Sequence, residues 1–221
     1  MSELLLLVII LLPLAASGWL KSKYSKYSKI DNGIQITGED AARQILNKNG
    51  LTDIKIEKTH GFLTDHYNPK TKTVVLSEHI FSGRSIASVA VAAHEVGHAI
   101  QHKEAYSFLT FRTAMVPVVN FTSRISSTIL ILGFFLGVAG LIDLAIILLC
   151  ISLLFQLITL PVEFNASNRA KKQLKKIGLI SDSDEKGVNK MLKAAAYTYV
   201  ASFLASALQV LRLVMLSRSR D

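Results

Sequence analysis

The feature that most constrains this chain is an apolar run from Ile129 to Val162, in which Asp143 is the only charged residue. A transmembrane helix needs about 20 residues, so this run is too long for one span and long enough for two. Gly137, Gly140 and Asp143 lie near its middle, where a turn would be placed. A single tilted helix is the alternative, but it would leave a carboxylate deep in the bilayer, where a charge is costly. We therefore predict a transmembrane hairpin over 126–160, with helices over Ser126–Ile142 and Leu144–Leu160.

A second apolar segment, Leu4 to Leu20, lies at the N-terminus. Its length just reaches the lower limit for a membrane span. A cleaved signal peptide is the alternative, because Ala15-Ala16-Ser17 would suit cleavage, but a signal peptide carries positive charge before its apolar core. Here lysines follow the core and alternate with tyrosines, as expected at a cytoplasmic membrane boundary. We predict an uncleaved anchor over 1–20, with the next domain in the cytoplasm.

A third apolar segment covers 194–216 and contains Gln209, Arg212 and many small residues. Basic residues flank it on both sides, so the charge rule does not orient it. Two interpretations remain open: a span that packs through its small residues, and a helix that lies on the membrane or on the domain.

The composition indicates a mainly α membrane protein. Half of the residues are hydrophobic and only 19% are charged, whereas soluble domains run nearer a quarter charged. The single cysteine, Cys150, excludes a disulfide framework and a multi-cysteine zinc finger. The net charge of +9 comes from basic residues at the edges of the apolar segments. We therefore expect a lipid bilayer as partner and no nucleic acid.

The remaining sequence is predicted to form a soluble part in two pieces, 30–125 and 161–193. Pro161 is expected in the first turn of the helix that opens the second piece. The elements of the first piece follow from capping residues, turn residues and alternation of apolar side chains. They are a helix that begins at Thr37 and ends before Gly50, a strand over Leu51–Lys58, a turn over Asp65–Lys72, a strand over Thr73–Leu76, and a long helix from Ser85 to about His102.

That long helix carries the motif His94-Glu95-Val96-Gly97-His98. Residues four apart lie on one helix face, so both imidazoles can reach one zinc ion at about 2.0–2.1 Å. Glu95 lies beside the metal, where it can take a proton from a water that zinc activates. Two surface histidines without a metal are the alternative, but the apolar residues that lead into the motif at helical spacing favour a zinc site.

Two histidines leave zinc one protein ligand short of an open catalytic site. The metzincin extension, with a glycine and a third histidine, is absent because Gln101 and Glu104 stand at those positions. His102 is a poor ligand, since a rigid helix cannot bring three successive turns to one ion. Glu163 is the remaining candidate, because small residues such as Ala166 on its helix face would allow close packing on the histidine helix. On spacing alone, a solvated carboxylate at the membrane exit is an equally good interpretation of Glu163.

Three stretches of the chain resemble the bacterial YugP-type neutral zinc metallopeptidases, a family of multi-pass membrane proteins. The chain is more distantly similar to the membrane gluzincins that include the CAAX prenyl proteases and the heat-shock membrane protease. The stretches are His94–His102, Asp65–Pro69 and Pro161–Ser167.

The resemblance implies a gluzincin-like zinc peptidase domain with a short β element. His94, His98 and Glu163 are the implied ligands of one zinc ion per chain, and Glu95 is the implied general base. Ser167 stands where the related proteases have aspartate. A ligand histidine would therefore receive only a weaker hydrogen bond from Ser167 or its neighbour.

The resemblance also implies an edge strand near the zinc that holds a substrate in extended form. His66 and Tyr67, which lie between the two predicted strands just before the motif helix, are candidates for substrate binding or for stabilising the oxyanion. A turn whose aromatic ring packs on the core is the alternative interpretation.

Together these features predict a membrane-embedded zinc endopeptidase, multi-pass in the bacterial plasma membrane, with its active site facing the cytoplasm. We expect protein or peptide substrates in or near the membrane. The alternative is a membrane protein that carries or senses zinc with the same ligands and without hydrolysis. The two hypotheses differ at Glu95, which only hydrolysis needs as a base.

Overall fold

The structure is a computed structural model and describes residues 2–218, except for the side chain of Ser2. Helices dominate these residues, and the strands form one small sheet. The elements, in chain order, are α1 (Ser2–Tyr27), α2 (Gly38–Lys48), β1 (Lys55–Thr59), β2 (His66–Asn68), β3 (Thr73–Ser77), α3 (Glu78–Phe81), α4 (Ile86–Lys103), α5 (Ser107–Leu136), α6 (Ala139–Lys176) and α7 (Asp182–Arg218).

Helices α1, α5, α6 and α7 are each long and apolar enough to cross a membrane. The most apolar window of α1 is not buried inside the protein at all, and those of α5, α6 and α7 are mostly exposed. Exposed apolar helices of this length are typical of membrane proteins, because lipid rather than protein covers them. The predicted fold class, a mainly α membrane protein with a short β element, is confirmed.

Helices α5 and α6 form a hairpin whose turn consists of Gly137 and Val138. The predicted turn at Asp143 is therefore wrong, and so are the helix ends predicted on either side of it. Gly137 has a φ of +67°, the left-handed conformation in which glycine commonly ends a helix. Asp143 lies inside α6, where its carboxylate accepts a 3.0 Å hydrogen bond from Ser217 Oγ near the end of α7.

The hairpin helices also extend further than the apolar run. Helix α5 begins at Ser107 rather than Ser126, because Arg112 and Arg124 are tolerated within it. Helix α6 runs through Pro161, so the predicted new helix at this proline is wrong. Proline removes one backbone hydrogen bond, but packing of α6 against both α4 and α7 supports the helix on either side of it.

Helix α7 joins two predicted pieces, the end of 161–193 and the whole of 194–216, in one continuous helix. Its buried residues occur at helical spacing, from Val188 and Met191 to Ala205 and Leu213. This helix packs against α1, α4 and α6. The C-terminal apolar segment is thus the distal part of a helix that begins in the polar part of the protein.

The small sheet has the strand order β1-β3-β2, with β3 in the centre. Strand β1 runs parallel to β3, and β2 runs antiparallel to it, with Tyr67 opposite Val74. The prediction of a turn over 65–72 missed β2, because three residues are too few for a visible alternation. Strand β1 is also shorter than the predicted Leu51–Lys58.

The polar part is built around α4. Its core is formed by apolar residues of α2, β3, α4 and the ends of α6 and α7, among them Ile45, Leu46, Leu76, Val89, Val96 and Leu174. The predicted cap of α2 is present as a capping box: Asp40 N donates to Thr37 Oγ1, and Thr37 N donates to the Asp40 carboxylate. Ser85 caps α4 in the same region, which fixes where the motif helix starts.

Candidate metal centre

Helix α4 presents His94 and His98 from one face, one turn apart. Their rings meet edge to face, with centroids 4.8 Å apart. Both side chains are largely buried, with 13% and 10% of their surface exposed. The predicted relationship, two imidazoles on one side of one helix, is therefore present.

Glu163 reaches these histidines because α6 crosses α4 at very close range. The contact is made by Gly97 and Ala166: a Cβ added to Gly97 would lie 2.6 Å from the Ala166 carbonyl oxygen. Only glycine fits so near another backbone. The small residues on the Glu163 face thus have the packing role that the spacing predicted.

The three side chains converge on one point. The Oε2 of Glu163 lies 3.2 Å from His94 Nε2 and 3.7 Å from His98 Nε2. All three potential ligand atoms lie within 4.8 Å of one another. In a tetrahedral zinc site with bonds of about 2.0–2.2 Å, ligand atoms lie roughly 3.4 Å apart. Two nitrogens and one carboxylate oxygen at these separations fit a zinc ion with one coordination position left open.

Each histidine has a hydrogen-bond partner on its other nitrogen. His98 Nδ1 donates to Gln101 Oε1 at 3.0 Å, and Gln101 Nε2 in turn donates to the Val162 carbonyl and to Asn165 Oδ1. Because the Gln101 amide is oriented by these two acceptors, its oxygen must face His98. This leaves Nε2 of His98 on the side of Glu163, where a bound zinc ion would take its lone pair.

The second partner is Ser167, whose Oγ lies 3.2 Å from His94 Nδ1. This is the weaker hydrogen bond that was expected where related proteases have a carboxylate. Gln101, in contrast, was missed, although a sequence signal exists: it stands three residues after His98, on the same helix face. The structure shows that its amide is fully buried.

Glu95 lies on the floor of the site and is 8% exposed. Burial raises the pKa of its carboxyl, the charges of His94 and His98 oppose this shift, and the charge of Glu163 adds to it. For His98, burial lowers the pKa, but the hydrogen bond and charge of Glu163 outweigh it, and the net shift is upward.

An open cavity of about 410 Å³ lies over the three converging side chains. One wall is β2 and the residues after it, and the opposite wall is the first part of α5. Arg112 projects from α5, with its Nη1 3.6 Å from Glu163 Oε1, and Tyr199 of α7 also lines this cavity. Nothing local in the sequence marks Arg112 or Tyr199, because each depends on how a distant helix packs.

A second, smaller cavity of about 140 Å³ adjoins the other side of His94 and Glu95. Both cavities share Asp65 and Tyr199 as lining residues. Asp65 accepts hydrogen bonds from Ser77 N and Ser77 Oγ, and burial raises its pKa despite them. The other lining residues of the smaller cavity are mostly apolar: Leu20, Leu63, Val91, Met191, Leu192, Ala195 and Thr198.

His66 and Tyr67 lie on β2 at the wall of the larger cavity. The Tyr67 hydroxyl is 2.8 Å from His102 Nδ1, and burial raises the pKa of Tyr67 to about 12, so this hydroxyl stays protonated and can donate to His102. His66 Nδ1 donates to the Thr64 carbonyl at 2.9 Å. His102 is thus a partner of the edge strand, and it is not among the side chains that converge.

Glu104 and Arg169 form an ion pair of 2.7 Å. Glu104 therefore pairs with Arg169 and is not among the side chains that converge. Arg169 Nε also donates to Asn165 Oδ1 at 2.6 Å, the same oxygen that accepts from Gln101. The chain of hydrogen bonds that starts at His98 thus ends in the Arg169–Glu104 ion pair at the surface.

Comparison with known proteins agrees with this geometry. The profile of the family described as "Putative neutral zinc metallopeptidase" matches residues 2–218. The chain is 48% identical over 217 residues to a protein of Bacillus subtilis (strain 168) named "Putative membrane protease YugP". The aligned region covers 95% of this chain and 96% of that relative. No solved structure matches the chain. The chain therefore belongs to the neutral zinc metallopeptidase family.

Proposed function

We propose that this protein is a membrane-embedded zinc endopeptidase that uses His94, His98 and Glu163 to hold one zinc ion per chain. The observation that carries the proposal is the convergence of these three ligand atoms within 4.8 Å, beneath an open cavity that also contains Glu95. A zinc ion with three protein ligands keeps one position for water or substrate, which is the arrangement of catalytic rather than structural zinc.

Glu95 is the general base in this proposal. Zinc, when bound, supplies Lewis-acid chemistry that lowers the pKa of water and polarises a peptide carbonyl. Glu95 accepts the proton of the attacking water and passes it to the nitrogen of the leaving amine. Its burial beside the histidines, on the floor shared by both cavities, suits a group that must hold a proton away from bulk solvent.

Arg112 and Tyr199 are the donors that we assign to the oxyanion. Both line the larger cavity, and both approach Glu163. The Arg112 guanidinium is always protonated. His66 is less suited to this role, because its Nδ1–H donates to the Thr64 carbonyl. A neutral imidazole carries only one N–H, so Nε2 would have no proton to donate. His66 and Tyr67 instead serve as the edge-strand wall against which an extended substrate lies.

The substrate is a protein or peptide segment at the membrane surface. One wall of the larger cavity comes from the soluble sheet, and the other comes from α5, a helix that could span the membrane. The smaller cavity accepts an apolar side chain next to the cleaved bond. Its volume of about 140 Å³ compares with about 150 Å³ for an apolar protein cavity that binds benzene.

The proposed setting is the bacterial plasma membrane, with several spans and the metal centre on the cytoplasmic side. The hairpin returns the chain to the side on which it entered, so α4 and the Glu163 end of α6 face the same compartment. The lysines after α1 favour the cytoplasm for that compartment. The partners are the bilayer and the substrate, and no nucleic acid.

Replacing Glu95 by Gln tests hydrolysis directly. Glutamine keeps the shape and hydrogen-bonding reach of Glu95 but cannot act as a base, so cleavage should fall by about 10²–10⁴-fold. Comparing membrane proteomes of cells that express the wild type and the Glu95→Gln variant should reveal proteins that accumulate in the variant. Glu57→Gln, which changes an exposed glutamate of strand β1 outside both cavities, is the control and should cleave normally. Wild-type cleavage by Glu95→Gln would favour the zinc-carrier alternative.

A further inference from the structure

A third cavity, of about 500 Å³, lies between α6 and α7 and does not open onto the metal centre. Neither the proposed chemistry nor the proposed substrate uses this cavity. Because α6 and α7 are joined by a short connection over 177–181, they run in opposite directions along this cavity. One end of the cavity is therefore close to that connection, and the other lies toward the apolar parts of both helices.

The end near the connection is polar and basic. It is lined by Asn168 and Lys171 of α6 and by Asn189 and Lys193 of α7. No carboxylate is among the described residues that line the cavity. Within residues 2–218, neither Lys171 nor Lys193 takes part in an ion pair. The Nζ of Lys193 lies 5.6 Å from the centroid of the Tyr197 ring. Two unneutralised lysines that face one cavity create a positive potential there.

The opposite end is apolar. It is lined by Phe164 of α6 and by Ala196 and Val200 of α7, with Tyr197 at the side. Phe164 is 40% exposed and Tyr197 is 42% exposed, so this end opens outward rather than into the core. These residues lie at the level where both helices enter their long apolar stretches. The cavity thus changes from apolar to basic over about two helical turns.

We propose that this cavity binds one anionic phospholipid, with its phosphate between Lys171 and Lys193 and an acyl chain along Phe164 and Val200. Charge complementarity selects an anionic headgroup, because the cavity offers two cations and two amides but no carboxylate. The apolar end selects a lipid over a free phosphate ester, since a small soluble anion would leave Phe164 and Val200 uncovered. Basic pockets between membrane helices on the cytoplasmic side are suited to such headgroups.

Binding there would join α6 and α7, the helices that carry Glu163 and Tyr199. Ser167 belongs to both places: it lines the lipid cavity and its Oγ lies 3.2 Å from His94 Nδ1. A lipid bound there would therefore lie against the same residue that supports His94.

The test uses the full chain in a detergent that contains no phosphate, with dioleoyl phosphatidylglycerol or dioleoyl phosphatidylcholine added, and bound lipid counted by native mass spectrometry. We expect one tightly bound phosphatidylglycerol molecule per chain and much weaker binding of phosphatidylcholine. Each lysine near such a surface contributes about 1 kcal/mol, so the Lys171→Gln/Lys193→Gln double variant should bind phosphatidylglycerol roughly 30-fold more weakly. Lys171→Arg/Lys193→Arg should keep the affinity.

The matched control is Lys172→Gln/Lys190→Gln. It removes the same charge from neighbouring exposed positions of the same two helices, outside the cavity. The proposal requires this control to bind within about twofold of the wild type. An equal loss of phosphatidylglycerol affinity in both double variants would mean that the lipid is attracted by the general surface charge, and this result would overturn the proposal. Equal binding of the two lipids, or full displacement by equimolar glycerol phosphate, would overturn it as well.

Discussion

The orientation of His98, a proposed zinc ligand, depends on Gln101, which is not itself one of the ligand candidates. Gln101 fixes the His98 ring through Nδ1, and the amide is itself fixed by the Val162 carbonyl and Asn165. This arrangement explains why a glutamine can replace the carboxylate that often supports a ligand histidine. At His94 the support is a serine hydroxyl.

Replacing Gln101 by Ala should weaken zinc binding by about 10–100-fold, because His98 loses the partner that holds its ring and tautomer. Zinc affinity can be measured by competition with a chelator at fixed pH, since ligand protonation changes the apparent affinity. Gln173→Ala is the control: it removes another amide hydrogen bond, from Gln173 Nε2 to Asn49 Oδ1, far along α6. Equal zinc affinities in the two variants would contradict the role given to Gln101.

At the scale of single residues, the sequence identifies site residues that are neighbours on one helix and misses site residues that distant helices contribute. His94, Glu95 and His98 could be proposed from i, i+4 spacing alone. Glu163 became a candidate through the small residues beside it and became an expected ligand through the resemblance. Arg112 and Tyr199 could not be found, because their approach to Glu163 depends on the packing of α5 and α7.

At the scale of the elements, the site depends on how closely α4 and α6 cross. Gly97 lies against the Ala166 backbone, which brings the histidine pair and Glu163 together. The elements themselves were predictable where a local signal exists, such as the capping box of α2 or the cap of α4 at Ser85. The hairpin turn was misplaced because Gly137, Gly140 and Asp143 are all acceptable turn residues, and only packing distinguishes them.

Gly97→Ala should therefore separate the two helices. The added methyl would meet the Ala166 carbonyl oxygen at 2.6 Å, and overpacking of this kind costs about 1–3 kcal/mol of stability. We expect a lower thermal midpoint in detergent and loss of bound zinc, as Glu163 moves from the histidines. Gly140→Ala is the matched control, because nothing lies within 4 Å of a Cβ there, and it should be neutral or slightly stabilising. A Gly97→Ala protein with normal zinc content would show that α4 and α6 can separate without disturbing the site.

For the whole molecule, the sequence could identify apolar segments but not how far each helix extends. Helices α6 and α7 each combine an apolar stretch with a stretch in the polar part of the protein. Each helix therefore connects the apolar part of the protein to the candidate metal centre without a break. Polar residues on a membrane helix beyond the bilayer look like the start of a separate domain in sequence, which is why 161–193 was predicted as its own piece.

The topology makes a prediction of its own. A reporter inserted after Lys29 should behave as cytoplasmic, and one inserted in the hairpin turn at Gly137–Val138 should behave as external, because lysines follow α1 and the hairpin crosses twice. The measurement is a pair of enzyme reporters, one active only in each compartment. The reverse pattern would move the metal centre to the outer side of the membrane.

The most direct test of the account is the zinc content of the purified chain, measured by elemental analysis against protein concentration. We predict one zinc per chain in the wild type and in Glu95→Gln, because Glu95 is proposed as the base and is not among the three converging ligand candidates. Glu163→Ala should lose the metal, while Glu57→Gln, which changes an exposed glutamate outside both cavities, should keep it. A Glu163→Ala protein that retains zinc and cleaves its substrate would contradict the account, and the third ligand would then have to be sought elsewhere, with His66 as the next candidate.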